Sequence, residues 1–284
     1  MATTVTQLSL SVSALLAFQR LAGISMLPAH LRIRPQLVRV AGQDLPVTDE
    51  EHAVLVDAGL YDGTEVDPDA ATMIRALVSP DAELDMTLGA PGRDDTYVCL
   101  VRRHRLLVAA MRCADEVTID AYLGYNEHDL TTLLADTVRG YLFGPDGEVT
   151  SAPIPRTRFC AADAQAAMSE AETFESSLTF ATKLKTHGVP EVVAEALYRA
   201  ELQPLGRAEV SAYLNHEGAR SEPDNIVQIT NCAAGAVMTM CARDSNGMLW
   251  VTAEPYDHDE LERRITAAIR SVPGSAWFTH CRSD

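Results

Sequence analysis

Hydrophobic positions along the chain recur with two periods, and each change of period marks an element boundary. Val12, Leu15, Leu16 and Ala17 share one helical face within Leu10–Leu21 and Gly23 stops the pattern, which predicts a helix of about three turns. His30–Pro35 alternates polar and apolar residues up to a proline and predicts a short strand. Thr48 followed by Asp49, Glu50 and Glu51 reads as a helix start, because a hydroxyl can cap the first amides and acids oppose the dipole. That helix is expected to end near Gly59. A second is expected from Asp67-Pro68 through Met73, Ile74 and Leu77 to Pro80.

From Glu83 the period shortens to that of a strand. Glu83–Leu88, Thr96–Arg103, Leu106–Cys113 and Glu116–Leu123 are four β-rich runs with short polar connections, which predicts an antiparallel meander. A helix then carries Leu130, Leu133, Leu134, Val138 and Leu142 on one face. Residues 144–158 contain Gly144, Pro145, Gly147, Pro153 and Pro155, the composition of a linker or wandering loop.

The second half repeats the scheme. Helices are expected over Ala161–Glu172, Ser176–Thr186 and Pro190–Glu201, with Gly188 closing the second and Pro190 in the first turn of the third. Strands return at Ala208–Leu214, Ile226–Thr230, Ala236–Arg243 and Met248–Glu254, with a hairpin turn at Ser245-Asn246-Gly247. A helix over His258–Ser271 follows, packing Leu261, Ile265, Ala268 and Ile269. The expected fold is α+β (mixed α/β): a pseudo-two-fold duplicated antiparallel sheet with flanking helices and a helical bundle in the C-terminal half. Residues 1–284 are expected to form one domain of two halves, about 10–145 and 160–282, joined by 144–158.

Composition narrows the function. With 23 basic against 40 acidic residues the formal charge is −17, which repels polyphosphate backbones and anionic membranes, so neither nucleic-acid binding nor membrane insertion is expected. No run reaches the ~18 apolar residues a spanning helix needs, and Met1–Gln7 lacks the positive charge that opens a secretory signal. Six irregularly spaced cysteines without a Cys-x-x-Cys pair read as reduced, and the expected location is cytoplasmic.

Catalytic chemistry is hard to find. The chain has no phosphate loop, no His-Glu-x-x-His, no Gly-x-Ser-x-Gly and no dinucleotide fingerprint, so no cofactor or metal is expected. Asp257-His258-Asp259-Glu260, the tightest group of metal-ligand types, is explained as a helix cap with dipole partners. Cys232, and Cys281 beside His280, are the cysteines outside strand interiors, and a small-molecule enzyme using one of them with a histidine is the alternative function. A self-assembling structural protein is a third reading. Arg102-Arg103-His104-Arg105, at a turn between strands, reads first as a solvated charged turn and second as a patch for an acidic partner.

Several segments in a shared order carry a family resemblance. They are Ala29–Pro35 after the first helix; Leu55–Gly59 leading to Val66-Asp67-Pro68; Val101-Arg102-Arg103 with Leu107–Cys113; Leu184–Val189; and Val272–Arg282 at the chain end. In order and spacing, from about residue 10 to 282, the chain resembles the EspG family, cytosolic chaperones of actinobacterial ESX (type VII) secretion systems. The resemblance implies a non-catalytic, pseudo-symmetric α/β protein that binds the helical tip of a PPE protein within a PE–PPE heterodimer and delivers it for secretion. Binding in that family uses the central sheet face, the loop between its second and third strands, and the C-terminal helical bundle. With His30–Pro35 counted as the first strand, that loop is Leu88–Thr96, shorter than in some relatives. The partner-binding candidates the resemblance implies are therefore Gly89, Ala90, Pro91, Gly92, Arg93, Asp94 and Asp95, with Arg220 in the polar turn Asn215–Asn225 of the second half.

Overall fold

The computed structural model describes residues 3–24, 26–33, 47–145, 147–174, 177–216 and 219–282. In the first half, strand β1 (Thr3–Ser11) leads into helix α1 (Val12–Leu21), followed by α2 (Asp49–Asp57) and α3 (Pro68–Val78). The meander β2 (Ala82–Gly89), β3 (Thr96–Arg103), β4 (Leu106–Cys113) and β5 (Glu116–Leu123) follows, then α4 (Glu127–Phe143). The second half runs β6 (Thr157–Cys160), α5 (Ala161–Phe174), α6 (Ser177–Thr186), α7 (Glu191–Leu202), β7 (Pro204–His216), β8 (Ala219–Arg220), β9 (Asn225–Cys232), β10 (Gly235–Arg243), β11 (Leu249–Pro255) and α8 (His258–Ser271).

All named strands join one eleven-stranded sheet in the order β1-β5-β4-β3-β2-β7-β9-β10-β11-β6, with the short β8 beside β7. Every named strand pair is antiparallel. The order is a palindrome about the β2–β7 seam. Each half contributes an outer strand that leads into its helices, a meander, and a closing helix, so the fold is the duplicated α+β sheet the patterning predicts.

Alternation along the strands divides the core between the two faces. Leu84, Met86 and Leu88 of β2 and Val210 and Ala212 of β7 point to one face, where Leu134 and Val138 of α4 and Leu261 and Ile265 of α8 close over the centre. On the other face Cys99, Val101 and Val108 pack beneath Phe18 of α1 and Ile74 of α3. Val237 and Ala253 pack beneath Leu184 of α6 and Val193 of α7. Each fully buried aliphatic side chain in these clusters contributes about 2 kcal/mol of burial.

Several expectations are corrected. His30–Pro35 is not a strand over its described residues: Ala29–Leu31 form a single 3-10 turn ended by Arg32 in the left-handed region (φ 51°), and Arg34 and Pro35 lie outside the described residues. Side-chain bonds hold this turn on the sheet, because Arg112 Nη1 donates to the Leu31 and Arg32 carbonyls at 3.0 and 2.7 Å. The first strand is instead β1, which pairs with β5 and runs directly into the Ser11 cap of α1. Residues 151–154 are not a loose connection, since Ser151 bridges Ala236 and Ala152 and Ile154 are buried. The strands β6 and β8 are additional, and Pro190 caps α7 from outside rather than sitting in its first turn.

Within the Arg102–Arg105 turn, His104 and Arg105 are exposed as expected, and the correction falls on Arg102. Arg102 is 2% exposed and its guanidinium serves the chain end, donating to the carbonyls of Trp277 (2.8 Å), His280 (2.5 Å) and His104 (3.1 Å). Trp277, fully buried, donates its indole N–H to the Glu83 carbonyl at 3.1 Å. Asp81 accepts from the amides of His104 (2.6 Å) and Arg282 (3.0 Å) and pairs with both Arg102 and Arg103. Burial works against ionisation of Asp81, but these amides and guanidiniums outweigh it and hold its carboxyl below the usual range.

Candidate partner-binding surface

On the face opposite α4 and α8, the α1–α3 and α5–α7 layers cover the two ends of the sheet and leave the central strands β2, β7 and β9 between them. The row of these strands that points to this face is polar, buried at Glu83, Asp85 and Ser211 and partly exposed at Thr87, Glu209 and Tyr213. Register places Glu83, Asp85 and Thr87 of β2 opposite Tyr213, Ser211 and Glu209 of β7, and Glu209 opposite Gln228 of β9. A strand in the middle of a sheet that keeps a polar row has one face without an apolar cover. The result is a polar furrow flanked by two helical lobes.

At one end of the furrow Glu83 and Asp85 are buried side by side, at 7% and 3% exposure. Cys99 donates its thiol to Glu83 at 3.5 Å, and Asn215 donates to the same carboxyl at 3.4 Å. Arg220 answers the two acids: its guanidinium pairs with Asp85, lies 3.6 Å from Glu83, and stacks on the Tyr213 ring at 3.2 Å from the centroid. Burial first, and the charge of Asp85 next, push the Glu83 carboxyl up; burial raises Asp85 too, against the pull of Arg220. Burial and the neighbouring carboxylates lift the Cys99 thiol well above its ordinary value, so it is a poor nucleophile. Glu83, Asp85 and Cys99 offer ligand atoms close enough for a metal ion, but the Arg220 guanidinium already supplies the positive charge there.

His30 reaches this cluster from the 3-10 turn. Its Nε2–H donates to the Met86 carbonyl at 3.0 Å, while Nδ1 stands 3.3 Å from Asp85 Oδ2, a contact that needs one proton between the two groups. Burial lowers the His30 pKa. Beside it Arg32 lies over the Tyr97 ring at 4.6 Å.

The other end of the furrow opens into a cavity of about 340 Å³ lined by Arg32, Thr87, Gly89, Asp95, Arg207, Glu209 and Gln228, among others. Here the strand-connecting loop meets the furrow. Asp95 accepts from the Tyr97 hydroxyl at 3.1 Å and folds back over Gly89, whose missing Cβ would lie 2.8 Å from Asp95 Oδ1. Gln228 donates to Glu209 at 2.7 Å, and Arg207 is held by the carbonyls of Ala200 and Glu201.

The structure therefore brings Gly89, Asp95 and Arg220 into one feature, linked by the β2 row Glu83–Asp85–Thr87–Gly89. Ala90, Pro91, Gly92, Arg93 and Asp94 form an exposed turn in which the Arg93 amide donates to the Ala90 carbonyl at 3.1 Å and Gly92 takes φ 75°. Arg93 and Asp94 do not pair with each other, and among the described residues neither side chain has a polar partner. Because β1 takes the place of His30–Pro35, this loop still joins the second and third strands. Sequence reasoning missed Arg32, Arg207, Glu209 and Gln228. The signal was the polar alternation Arg207, Glu209, Ser211, Tyr213 in a strand that the topology makes central.

The cysteines of the alternative reading lie apart from this surface. Cys232 is buried at the end of β9, its thiol donating to the Gly235 carbonyl at 3.2 Å. Cys281 is exposed near His104 and Asp81, while its neighbour His280 is engaged with the Asn215 carbonyl at 3.0 Å. Both Asp81 oxygens are occupied by amides and guanidiniums, leaving no free lone pair to orient a catalytic histidine. At the expected cap, Asp257 accepts from the Glu260 amide at 2.8 Å. Among the described residues no helix is long and apolar enough to cross a membrane.

These features define a class: a duplicated α+β protein whose single antiparallel sheet is closed by helices on one face and open along a central furrow on the other. Residues 11–267 match the model of the EspG family, and the chain belongs to that family. The ESX-5 secretion-associated protein EspG5 of Mycobacterium marinum is 20% identical over 301 residues, covering 98% of this chain and 97% of that protein. EspG5 of Mycobacterium tuberculosis is similar to the same extent. The solved structure of the M. tuberculosis type VII secretion system chaperone EspG5, in complex with a PE25–PPE41 dimer, shares the fold with a TM-score of 0.80 at 18% identity, covering 97% of this chain and all of that one.

Proposed function

We propose that this chain is a cytoplasmic, non-catalytic secretion chaperone that binds the helical tip of a PPE protein in a PE–PPE heterodimer and directs it to an ESX system. The observation that carries the reading is family membership over nearly the whole chain, shared with a chaperone whose solved structure includes a PE–PPE dimer. The furrow supports it physically. A helical tip laid on the sheet between two lobes would meet polar, partly satisfied groups on the floor and the exposed 89–95 turn at the rim. Covering an apolar tip removes an aggregation hazard, and a charge of −17 keeps the complex dispersed.

In this reading the binding residues are Gly89 to Asp95 and Arg220. Gly89 and Asp95 shape the loop base, Arg93 and Asp94 offer unpaired charges to the partner, and Arg220 presents the edge of the furrow. The two halves act as one unit because the floor is built across their seam.

Co-expression with PE–PPE pairs encoded near the gene, read by size-exclusion chromatography with light scattering, tests the reading. A ternary 1:1:1 peak, weakened by Arg93→Ala or by deleting residues 89–94, is expected. Failure of every pair with folded chain would sink it.

A further inference from the structure

A second feature lies away from the furrow. Between the end of α1, the helix α3 and the β3–β4 turn is a pocket of about 670 Å³, open on one side. Its floor is apolar, formed by Ile24, Ala76, Leu106 and the 44%-exposed Leu123, and its rim carries Arg75, Arg103, His104 and Arg105. We propose that this pocket is a docking site for an acidic peptide segment of a partner protein, anchored by an apolar side chain.

Three observations carry the assignment. First, the rim gathers three arginines and a histidine in a chain with 40 acids against 23 bases, so this patch opposes the sign of the whole molecule. Among the described residues, Arg75 and Arg105 pair with no carboxylate, so their charge is available to a ligand. Second, the rim is preorganised. Asp81 accepts the His104 amide and pairs with Arg103, and Arg102 beneath them ties the turn to the chain end, so the backbone that carries His104 and Arg105 is fixed before any ligand arrives. Third, the shape favours a peptide over a small molecule. Small-molecule sites enclose most of their ligand, whereas an open apolar floor with a charged border suits a side chain that stays attached to its own protein.

The pocket is at the far end of the eight-residue strands β2 and β3 from the 89–95 loop, roughly 25 Å away along the strands, so both surfaces can be occupied at once. This inference does not depend on the chaperone reading. It gives the molecule a second contact, which a third protein can use while the furrow is filled.

The test uses the full chain and a fluorescein-labelled probe, Asp-Glu-Leu-Glu-Asp-Phe-Glu-Glu, followed by anisotropy. Saturable binding is expected, weakened several-fold between 50 and 300 mM salt as the Debye length shortens from about 14 to about 6 Å. The double variant Arg75→Gln/Arg105→Glu should lose about tenfold in affinity, the order set by removing two exposed ion pairs and turning one of them repulsive. Leu123→Ser should weaken binding too, as should replacing the probe's Leu and Phe by Ser. All substituted positions are exposed, and unchanged melting confirms that the variants fold. No binding, or equal binding by these variants or by a Lys-for-acid probe, overturns the proposal. Self-association of the chain that the same variants abolish would also overturn it, by assigning the pocket to a second copy.

Discussion

The Arg102 guanidinium donates to the main-chain carbonyl of Trp277, 175 residues further along, at 2.8 Å. It is a cation at 2% exposure whose main acceptors are carbonyls of the chain end, with the Asp81 carboxylate 3.4 Å away. Arg102→Ala would leave the buried Trp277 carbonyl and the part-buried His280 carbonyl without their donor and take one of the cations from the buried Asp81 carboxylate. The expected loss is about 3–4 kcal/mol of unfolding free energy, measured by urea denaturation. Arg102→Lys should recover little of it, because one ammonium cannot replace the planar fork. A loss below about 1 kcal/mol would show that the tail is held by apolar packing alone.

Trp277 plugs the same junction with its ring and its indole N–H. Trp277→Ala should cost about 3–5 kcal/mol through the cavity it leaves. Trp277→Phe should cost less and isolate the unsatisfied Glu83 carbonyl. Limited proteolysis would read the difference as earlier cleavage after residue 272 in the Ala variant.

Arg220 and Asp81 predict opposite pH behaviour. Folding raises the Glu83 and Asp85 carboxyls above their ordinary 4.5 and 3.8. Their protonated forms therefore favour the fold, and that contribution fades as pH rises through the raised values. Arg220 offsets the repulsion at neutral pH, so Arg220→Ala should destabilise by about 2 kcal/mol at pH 7.5, a figure reduced because its side chain is 33% exposed. The loss should shrink at pH 5.

Folding holds Asp81 below its ordinary 3.8. Its stabilising contribution is complete above that value and disappears as pH falls through the lower folded value. Asp81→Asn should therefore be most harmful at neutral pH and converge on the unaltered protein only below about pH 3.8. Denaturation curves at pH 3, 5 and 7.5 separate the two cases; parallel profiles for both variants would contradict this account.

The capping box of α2 is a local test. Thr48 Oγ1 accepts from the Glu51 amide at 3.2 Å, and Glu51 returns to the Thr48 amide at 2.8 Å while pairing with Arg20 of α1. Thr48→Ala should cost about 1 kcal/mol. Differential hydrogen exchange should place the loss in α2 and its contact with α1 rather than across the sheet.

Elements whose stability is local were legible. The four strands from Glu83 to Leu123 are β-rich runs bounded by short polar turns, and the caps at Thr48 and Asp257 are short-range chemistry. β1, β6 and β8 were not legible. β1 and β6 join the sheet only through partners far along the chain, and the four residues of β6 and the two of β8 carry too few positions for a period to show. His30–Pro35 failed for the reverse reason: its alternation reflects Leu31 packing into the α1–α3 cluster while His30 reaches Asp85. Arg102 read as a solvated turn because nothing local distinguishes a charged turn from one that clasps a distant chain end. Of the surface, the 89–95 loop and Arg220 came from family resemblance. The furrow floor needed the topology that sets β2 beside β7.

That seam pairs Ala82 through Gly89 with Leu214 through Arg207, eight antiparallel residue pairs at the middle of the sheet. During synthesis the first half leaves the ribosome with β2 as a bare edge, and nothing native can cover it until β7 has been made. A chain truncated before β7 would keep that edge permanently, and the simplest complement is β2 of another truncated chain. The pseudo-symmetry that lets one polypeptide build a continuous floor thus also gives its fragments a ready geometry for pairing with themselves.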